Sequence, residues 1–395
     1  MMPGLERRIK YYSSFLNQEL IAIYLGTCLN KNLPLLDHLD AAAQWLCTAQ
    51  DASGDGGVSR SYSLVYNPYF NLKGWVASYP ETTGYIIPTM FDYAHLVGRQ
   101  EIYDRAVRMA LWESNVQIPD GAVQGGVIGD RPTPAIFNTG QVIFGWLRAY
   151  EETGNEQFID SAARAGVYLV SCQDNDGSWR KNLSCYASDK MQFYSYNTRT
   201  AWALYLLGSR LGRKEFTDAS VKNIVFTLEQ QQDNGWFKNN CLSNNDEPLL
   251  HTIAYCTRGI LEVGALLDDQ RLIRQSQKTA DALLQKQRRD GSLSGRFNSD
   301  WEPVTNWSCL TGDAQISIIW GRLYQETNDE KYLNGMKKMN EYLRKHQLIC
   351  EWSKNLHGGI LGSFPVYGSY GKFEILNWAV KFYMDALMME NDFLV

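Results

Sequence analysis

The chain has 395 residues, a net charge of −5, 45% hydrophobic and 13% aromatic content, with 12 Trp and 23 Tyr. A mildly acidic chain without a basic stripe excludes nucleic acid as the partner, and the absence of any apolar run of about 18 residues excludes a transmembrane segment. Met1 to Lys10 lacks the basic-then-apolar order of a secretory signal, and eight cysteines stand singly with no CxxC pair; both features predict a cytoplasmic protein with reduced thiols packed as small hydrophobes.

In chain order, Leu5–Leu25 reads as one extra helix within an N-terminal segment, 1–30, covering one end of the domain. From about residue 36 to 390 a single unit repeats six times. Gln50, Gln117, Gln173, Gln231, Gln287 and Gln347 each close an amphipathic run and open a Gly-rich loop. Thr83, Thr139, Thr198, Thr252, Thr311 and Asn377 each open a second, more apolar run. Both ladders have steps of 54 to 67 residues. Two interleaved ladders of one period predict six helical hairpins.

The first helices, Asp37–Thr48, Glu101–Val116, Gln157–Cys172, Glu215–Gln230, Gln270–Lys286 and Glu330–His346, alternate charge with apolar residues at helical spacing, as half-solvated helices do. The second helices, Thr83–Leu96, Thr139–Tyr150, Thr198–Leu211, Thr252–Leu267, Thr311–Tyr324 and Asn377–Met388, are apolar on most faces and therefore inner. The expected fold is all-α: one (α/α)6 toroid domain spanning 1–395, with a central funnel. Its outer-to-inner loops of about 20 to 35 residues, structureless in sequence, open on one rim and are read as functional. Thr83, Thr139, Thr311, Asn138 and Asn377 are expected to cap the inner helices.

The loop strings Gln173-Asp-Asn-Asp-Gly-Ser-Trp179, Gln232-Asp-Asn-Gly-Trp236 and Gln287-Arg-Arg-Asp-Gly-Ser-Leu293 are similar to the Gln- and Trp-containing repeat of squalene and hopene cyclases and of protein prenyltransferase β subunits. The layout also resembles the six-hairpin glycosidase and uronate-processing toroids: unsaturated glucuronyl hydrolases, N-acylglucosamine 2-epimerases, polysaccharide lyases and glucuronyl C5-epimerases. The string is a structural tie, so it argues for fold more than function. The Asp-x-Asp-Asp acid of protonating cyclases is missing. Cys309, Asp313, Cys350 and His357 echo the zinc ligands of prenyltransferases only faintly, so no metal and no cofactor are expected.

His251, Tyr255 and Arg258, at i, i+4 and i+7, share one face of the fourth inner helix. With Glu81 and Asp313 they form the catalytic candidates. Tyr85, Asn138, Gln141, Asn197, Arg199, Trp378 and Lys381 stand at the mouth ends of inner helices and are substrate-binding candidates. Trp75, Tyr79, Trp179, Tyr196, Trp236, Trp307 and Tyr367 supply aromatic walls from the loops. An arginine fork that neutralises a uronate acidifies its C5 proton for removal by His or Tyr, whereas hydrolysis needs paired carboxylates, best met by Glu81 and Asp313. Arg258 has a competing partner in Glu262. The Gly-rich stretch His357–Gly371 reads as a lid or a connector beside Gly74–Gly84, where the last unit meets the first. The chemistry expected is epimerisation, β-elimination or hydrolysis of a uronate-bearing carbohydrate. A terpenoid- or prenyl-handling enzyme and a silent glycan- or protein-binding toroid are the alternatives, and the sequence sets no oligomeric state.

Overall fold

The computed structural model describes residues 3–186 and 192–394. Two short helices, α1 (Pro3–Ser13) and α2 (Gln18–Tyr24), stand where one run over Leu5–Leu25 was expected. The break falls at Asn17, whose extended backbone leaves the helical region while its Oδ1 accepts from the Leu20 N–H and starts α2 afresh.

Twelve helices then alternate around a ring: α3 (Leu35–Ser53), α4 (Pro80–Val97), α5 (Gln100–Val116), α6 (Ile136–Thr153), α7 (Glu156–Cys172), α8 (Thr198–Leu211), α9 (Lys214–Leu228), α10 (Leu250–Leu266), α11 (Gln270–Gln285), α12 (Leu310–Thr327), α13 (Glu330–His346) and α14 (Asn377–Asp392). Odd-numbered helices are outer and even-numbered ones inner. Each inner helix packs on the inner helices before and after it, and α14 packs back on α3 and α4, which closes the circle. Inner helices approach closely through small residues: a Cβ on Gly145 would lie 2.3 Å from the Gly84 carbonyl oxygen.

The loop glutamines explain why the hairpins stack. Gln173 Nε2 donates to Gly177 O in its own loop (3.1 Å) and to Ala219 O in the middle of the next outer helix (2.8 Å). Gln117 does the same to Gly121 and Ser161, and Gln287 to Gly291 and Gly335. Gln347 bonds Gly358 and His38, joining the last outer helix to the first. Gly177 sits at φ +93°, and a Cβ there would lie 2.5 Å from the Lys222 oxygen, so the turn must be glycine to reach its neighbour.

Two expectations are corrected. The loops are not structureless: β1 (Ser61–Asn67) pairs with β2 (Leu72–Trp75), and β5 (Glu374–Leu376) adds to β1 with Ser61 opposite Leu376, so the first and last loops share a sheet. A second, two-residue pairing joins β3 (Ser308–Cys309) to β4 (Ser363–Phe364). The expected caps do not cap, because α4 and α6 begin three residues earlier than Thr83 and Thr139. Their hydroxyls instead accept from loop amides, Val58 N–H (3.0 Å) and Val123 N–H (2.9 Å). Asn138 and Asn377 donate to the loop carbonyls of Gln124 and Ser59.

The thiol expectation fails at one pair. Cys28 and Cys350 form a disulfide that ties the segment after α2 to the last loop, and the six other cysteines are free. No described helix is long and apolar enough to cross a membrane.

Candidate functional site

Two cavities lie on the ring axis. One, of about 190 Å³, opens among the long loops and is lined from α4 by Glu81, Thr82 and Tyr85, from α6 by Phe137 and Asn138, and from α10 by His251, Thr252 and Tyr255. Arg60, Tyr79, Tyr186, Tyr196, Tyr370 and Trp378 also line it, with Ser184, Leu242 and Leu249 filling the rest of the wall. The other, of about 890 Å³, opens at the end where short turns join inner to outer helices; its lining includes Arg199, Trp202, Arg258, Lys381 and Asp385. Tyr85 borders both.

Glu81 is the one carboxylate of the loop-side wall among the described residues. The Tyr79 hydroxyl donates to its Oε2 at 2.5 Å. Burial raises its pKa to about 7, although that hydrogen bond and the charges of Arg60 and Arg199 pull the other way. A carboxyl so held exchanges its proton near neutrality.

His251 is kept neutral. Burial lowers its pKa to about 3, with the Arg199 charge adding to the effect. Gln315 Nε2 lies 2.6 Å from His251 Nδ1; with the amide donating, the imidazole carries its proton at Nε2. Its ring lies 4.3 Å from that of Tyr255 and 5.3 Å from that of Tyr370.

Arg60 is the functional candidate that pattern reading missed, because it sits in a loop at no repeated position. It precedes β1, donates to Glu374 Oε2 at 3.1 Å, and lies 5.0 Å from the ring centroids of both Phe70 and Trp378. Its Nε is buried with no protein partner.

The trio on α10 is divided. His251 and Tyr255 line the loop-side cavity, but Arg258 lies on the other side of Tyr255, in the turn-side cavity. Seven residues of helix advance about 10 Å along the axis, past the floor that Tyr255 forms. There Arg258 pairs with Glu262 at 2.8 Å, and Lys381 likewise faces the turn side and bonds Asp385. Arg199 lines the same cavity, with its Nε donating to Gln141 Oε1 at 2.6 Å. Gln141 itself is buried behind it.

Asp313 does not reach the axis. It occupies the fourth position of α12, as Thr83 and Thr139 do in α4 and α6, and like them it holds a loop. Its Oδ1 accepts from Leu293 N–H at 3.2 Å and its Oδ2 from the Ser308 hydroxyl at 2.9 Å. Burial raises its pKa to about 8. With Asp313 tied to that loop and Cys350 in the disulfide, the echo of a zinc site is not assembled.

Several aromatic candidates are packing residues. Trp179 is fully buried with its Nε1 bonded to Leu169 O; Trp236 packs edge-on against Trp301, and Trp307 covers Gly295. Trp75 lies against Trp45 and Tyr62 and bonds Asn355. Tyr367 is exposed on the surface, and Asn197 is buried with neither side-chain polar atom partnered.

A family model for the squalene-hopene cyclase C-terminal domain matches residues 77–258. No curated protein matches the chain. Among solved structures, an unsaturated glucuronyl hydrolase specific for heparin is 16% identical with a TM-score of 0.72, the match covering 91% of this chain and 97% of that one. The unsaturated glucuronyl hydrolase of Bacillus sp. GL1, responsible for the degradation of glycosaminoglycan, is 13% identical with a TM-score of 0.68, covering 90% and 96%. A novel alpha-amylase from Clostridium perfringens is 11% identical with a TM-score of 0.65, covering 89% and 97%. With six inner and six outer helices in a closed ring, the chain has the (α/α)6 toroid fold that these solved structures share.

Proposed function

We propose that the loop-side cavity takes one sugar unit of a uronate-bearing oligo- or polysaccharide, and that Glu81 moves a proton at its C5. The observation that carries this reading is a carboxyl group whose pKa is raised to about 7 in an aromatic-walled cavity, with a half-buried guanidinium, Arg60, in the same wall. Pairing of Arg60 with the sugar carboxylate acidifies C5–H. Ionised Glu81 accepts that proton. The C5 carbanion then takes a proton on its other face, giving epimerisation, or breaks the C4–O bond and forms C4=C5, giving elimination. His251 Nε2–H and the Tyr255 hydroxyl are the groups available to return a proton.

Glycoside hydrolysis by two carboxylates about 5 to 9.5 Å apart is the weaker reading. Glu81 is the one carboxylate among the described residues of that wall, and Glu374 is engaged by Arg60, Ser61 and Asn67. Similar structures named for glucuronyl and heparin substrates support the sugar class.

A terpenoid reading draws on the cyclase-domain match and the aromatic wall. A volume of about 190 Å³ lies below the roughly 300 to 1,000 Å³ usual for drug-sized ligands, which favours a single sugar ring over a thirty-carbon chain.

The test is incubation with uronate glycans in D2O, reading deuterium at C5 by NMR and the ultraviolet absorbance of a C4=C5 product. Deuterium or absorbance lost in Glu81→Gln supports the proposal. Neither signal from any uronate glycan sinks it, and sugar binding without turnover would point to a silent toroid.

A further inference from the structure

We propose that the turn-side cavity is a second ligand site, for an amphipathic organic anion whose carboxylate or phosphate head pairs with Arg199 and whose apolar body lies against Trp202, Phe144 and Leu206. It is separate from the loop-side reading and does not depend on it.

Arg199 is a built anion site. Its side chain is 4% exposed and borders the cavity, its Nε is fixed by Gln141, and among the described residues nothing accepts from its two Nη atoms. Five rings surround its guanidinium carbon, with those of Tyr255, Phe144 and Phe382 at 5.1, 5.2 and 5.3 Å. Rings soften the burial of a cation but carry no countercharge. The other deep cations are matched: Arg258 by Glu262, Lys381 by Asp385 and Arg148 by Asp92. One positive charge at the bottom of the cavity is therefore left for a ligand.

Shape selects the rest of the molecule. Arg199 is the second residue of α8, whereas Arg210, in the last turn of that helix, also borders the cavity. Eleven residues of helix span about 16 Å, so the space is deep, and at about 890 Å³ it is large enough for a chain of this length. Between head and mouth Phe144, Leu147, Trp202 and Leu206 of α6 and α8 make an apolar stripe, with Arg148 beside it already paired to Asp92 and Glu152. The Tyr85–Tyr255 contact closes the cavity from the sugar site, so a ligand enters from the turn side.

The test is calorimetric titration of the whole protein with decanoate, decyl phosphate and decanol. Both anions, or one of them, should bind at least tenfold tighter than decanol, and the tighter of the two names the head group. Arg199→Met should erase that preference, leaving the alcohol unaffected. Leu206→Trp, which fills the apolar part, should weaken all three. Equal affinity for alcohol and anions, an unchanged preference in Arg199→Met, or no binding at all overturns the proposal. If Arg199→Met fails to fold, Arg199→Lys keeps the charge but loses the fork and should cost several-fold in anion affinity; wild-type affinity in both it and Leu206→Trp overturns the proposal equally.

Discussion

The hydroxyls of Tyr85 and Tyr255 meet at 3.4 Å, from inner helices on opposite sides of the ring. Tyr255 also lies 5.9 Å from Phe382, and Tyr85 lies 5.5 Å from the same ring, so three aromatic side chains from α4, α10 and α14 cross the channel. This floor decides which polar groups can act together: Glu81 and His251 above it, Arg258 and Lys381 below it.

Glu81 has a folded pKa raised above its usual value, so it is protonated below about pH 7. Acting as a base it must be ionised, and kcat/KM on a uronate glycan should rise with pH through about 7 and then level. Glu81→Gln should lower turnover about 10²- to 10⁴-fold while the melting temperature holds or rises above pH 7, where the buried charge is no longer required. A flat pH profile would remove Glu81 from the proton transfer.

His251→Ala should reduce turnover by a similar factor of about 10² and also lower the melting temperature, since it empties a buried site and takes the imidazole partner from Gln315. In the wild type the imidazole should stay neutral down to about pH 4, since burial lowers its pKa to about 3. Following the ring protons by NMR across pH 3 to 7 checks this; a His251 midpoint near 6.5 would contradict the neutral, Gln315-bonded state.

Asp313 gives a stability signature in place of a catalytic one. The folded protein holds its proton up to about pH 8 and the unfolded chain only to the usual 3.8. The folded state thus binds more protons between those values, and its stability falls as pH rises through them. Asp313→Asn keeps the acceptor for Leu293 N–H and turns the Ser308 bond round, its Nδ2 donating to the hydroxyl oxygen; it should gain stability at pH 8 relative to pH 4, with turnover unchanged. Urea midpoints at the two pH values measure it.

The repeat glutamines should not be equal. Gln173 bonds two carbonyls, whereas Gln231 Nε2 bonds one, Gln275 O at 2.9 Å. Removing a side chain that satisfies buried carbonyls costs about 1–3 kcal/mol, so Gln173→Ala should cost more than Gln231→Ala in chemical denaturation. Equal losses would mean the tie to the neighbouring helix carries no weight.

The ring was legible because periodicity survives averaging: two ladders of Gln and Thr mark helix ends whatever their surroundings. Even there, Thr83 and Thr139 do not cap as expected, since a hydroxyl holding a loop amide leaves the same trace in sequence as one holding a helix amide. The loop-side wall was partly legible. Glu81, Tyr79, Tyr85, Asn138, Tyr196, His251, Tyr255 and Trp378 all border it. What failed was depth. Helical spacing reports which face a residue shares, not how far along the axis a floor lies, so spacing alone groups Arg258 with His251. Loop tryptophans misled for another reason: in this repeat the indole fills the gap beside its own outer helix, as Trp179 does under Leu169 O.

The bond from Gln347 to the carbonyl of His38 crosses 309 positions of sequence. During synthesis α3 and α4 emerge before the other helices of the ring, whereas α14, which covers a flank of each, emerges after them all. Until it arrives the nascent arc carries a bare apolar edge at its leading end, open to another chain's α14. The hazard specific to this architecture is therefore exchange of the final helix between copies during assembly.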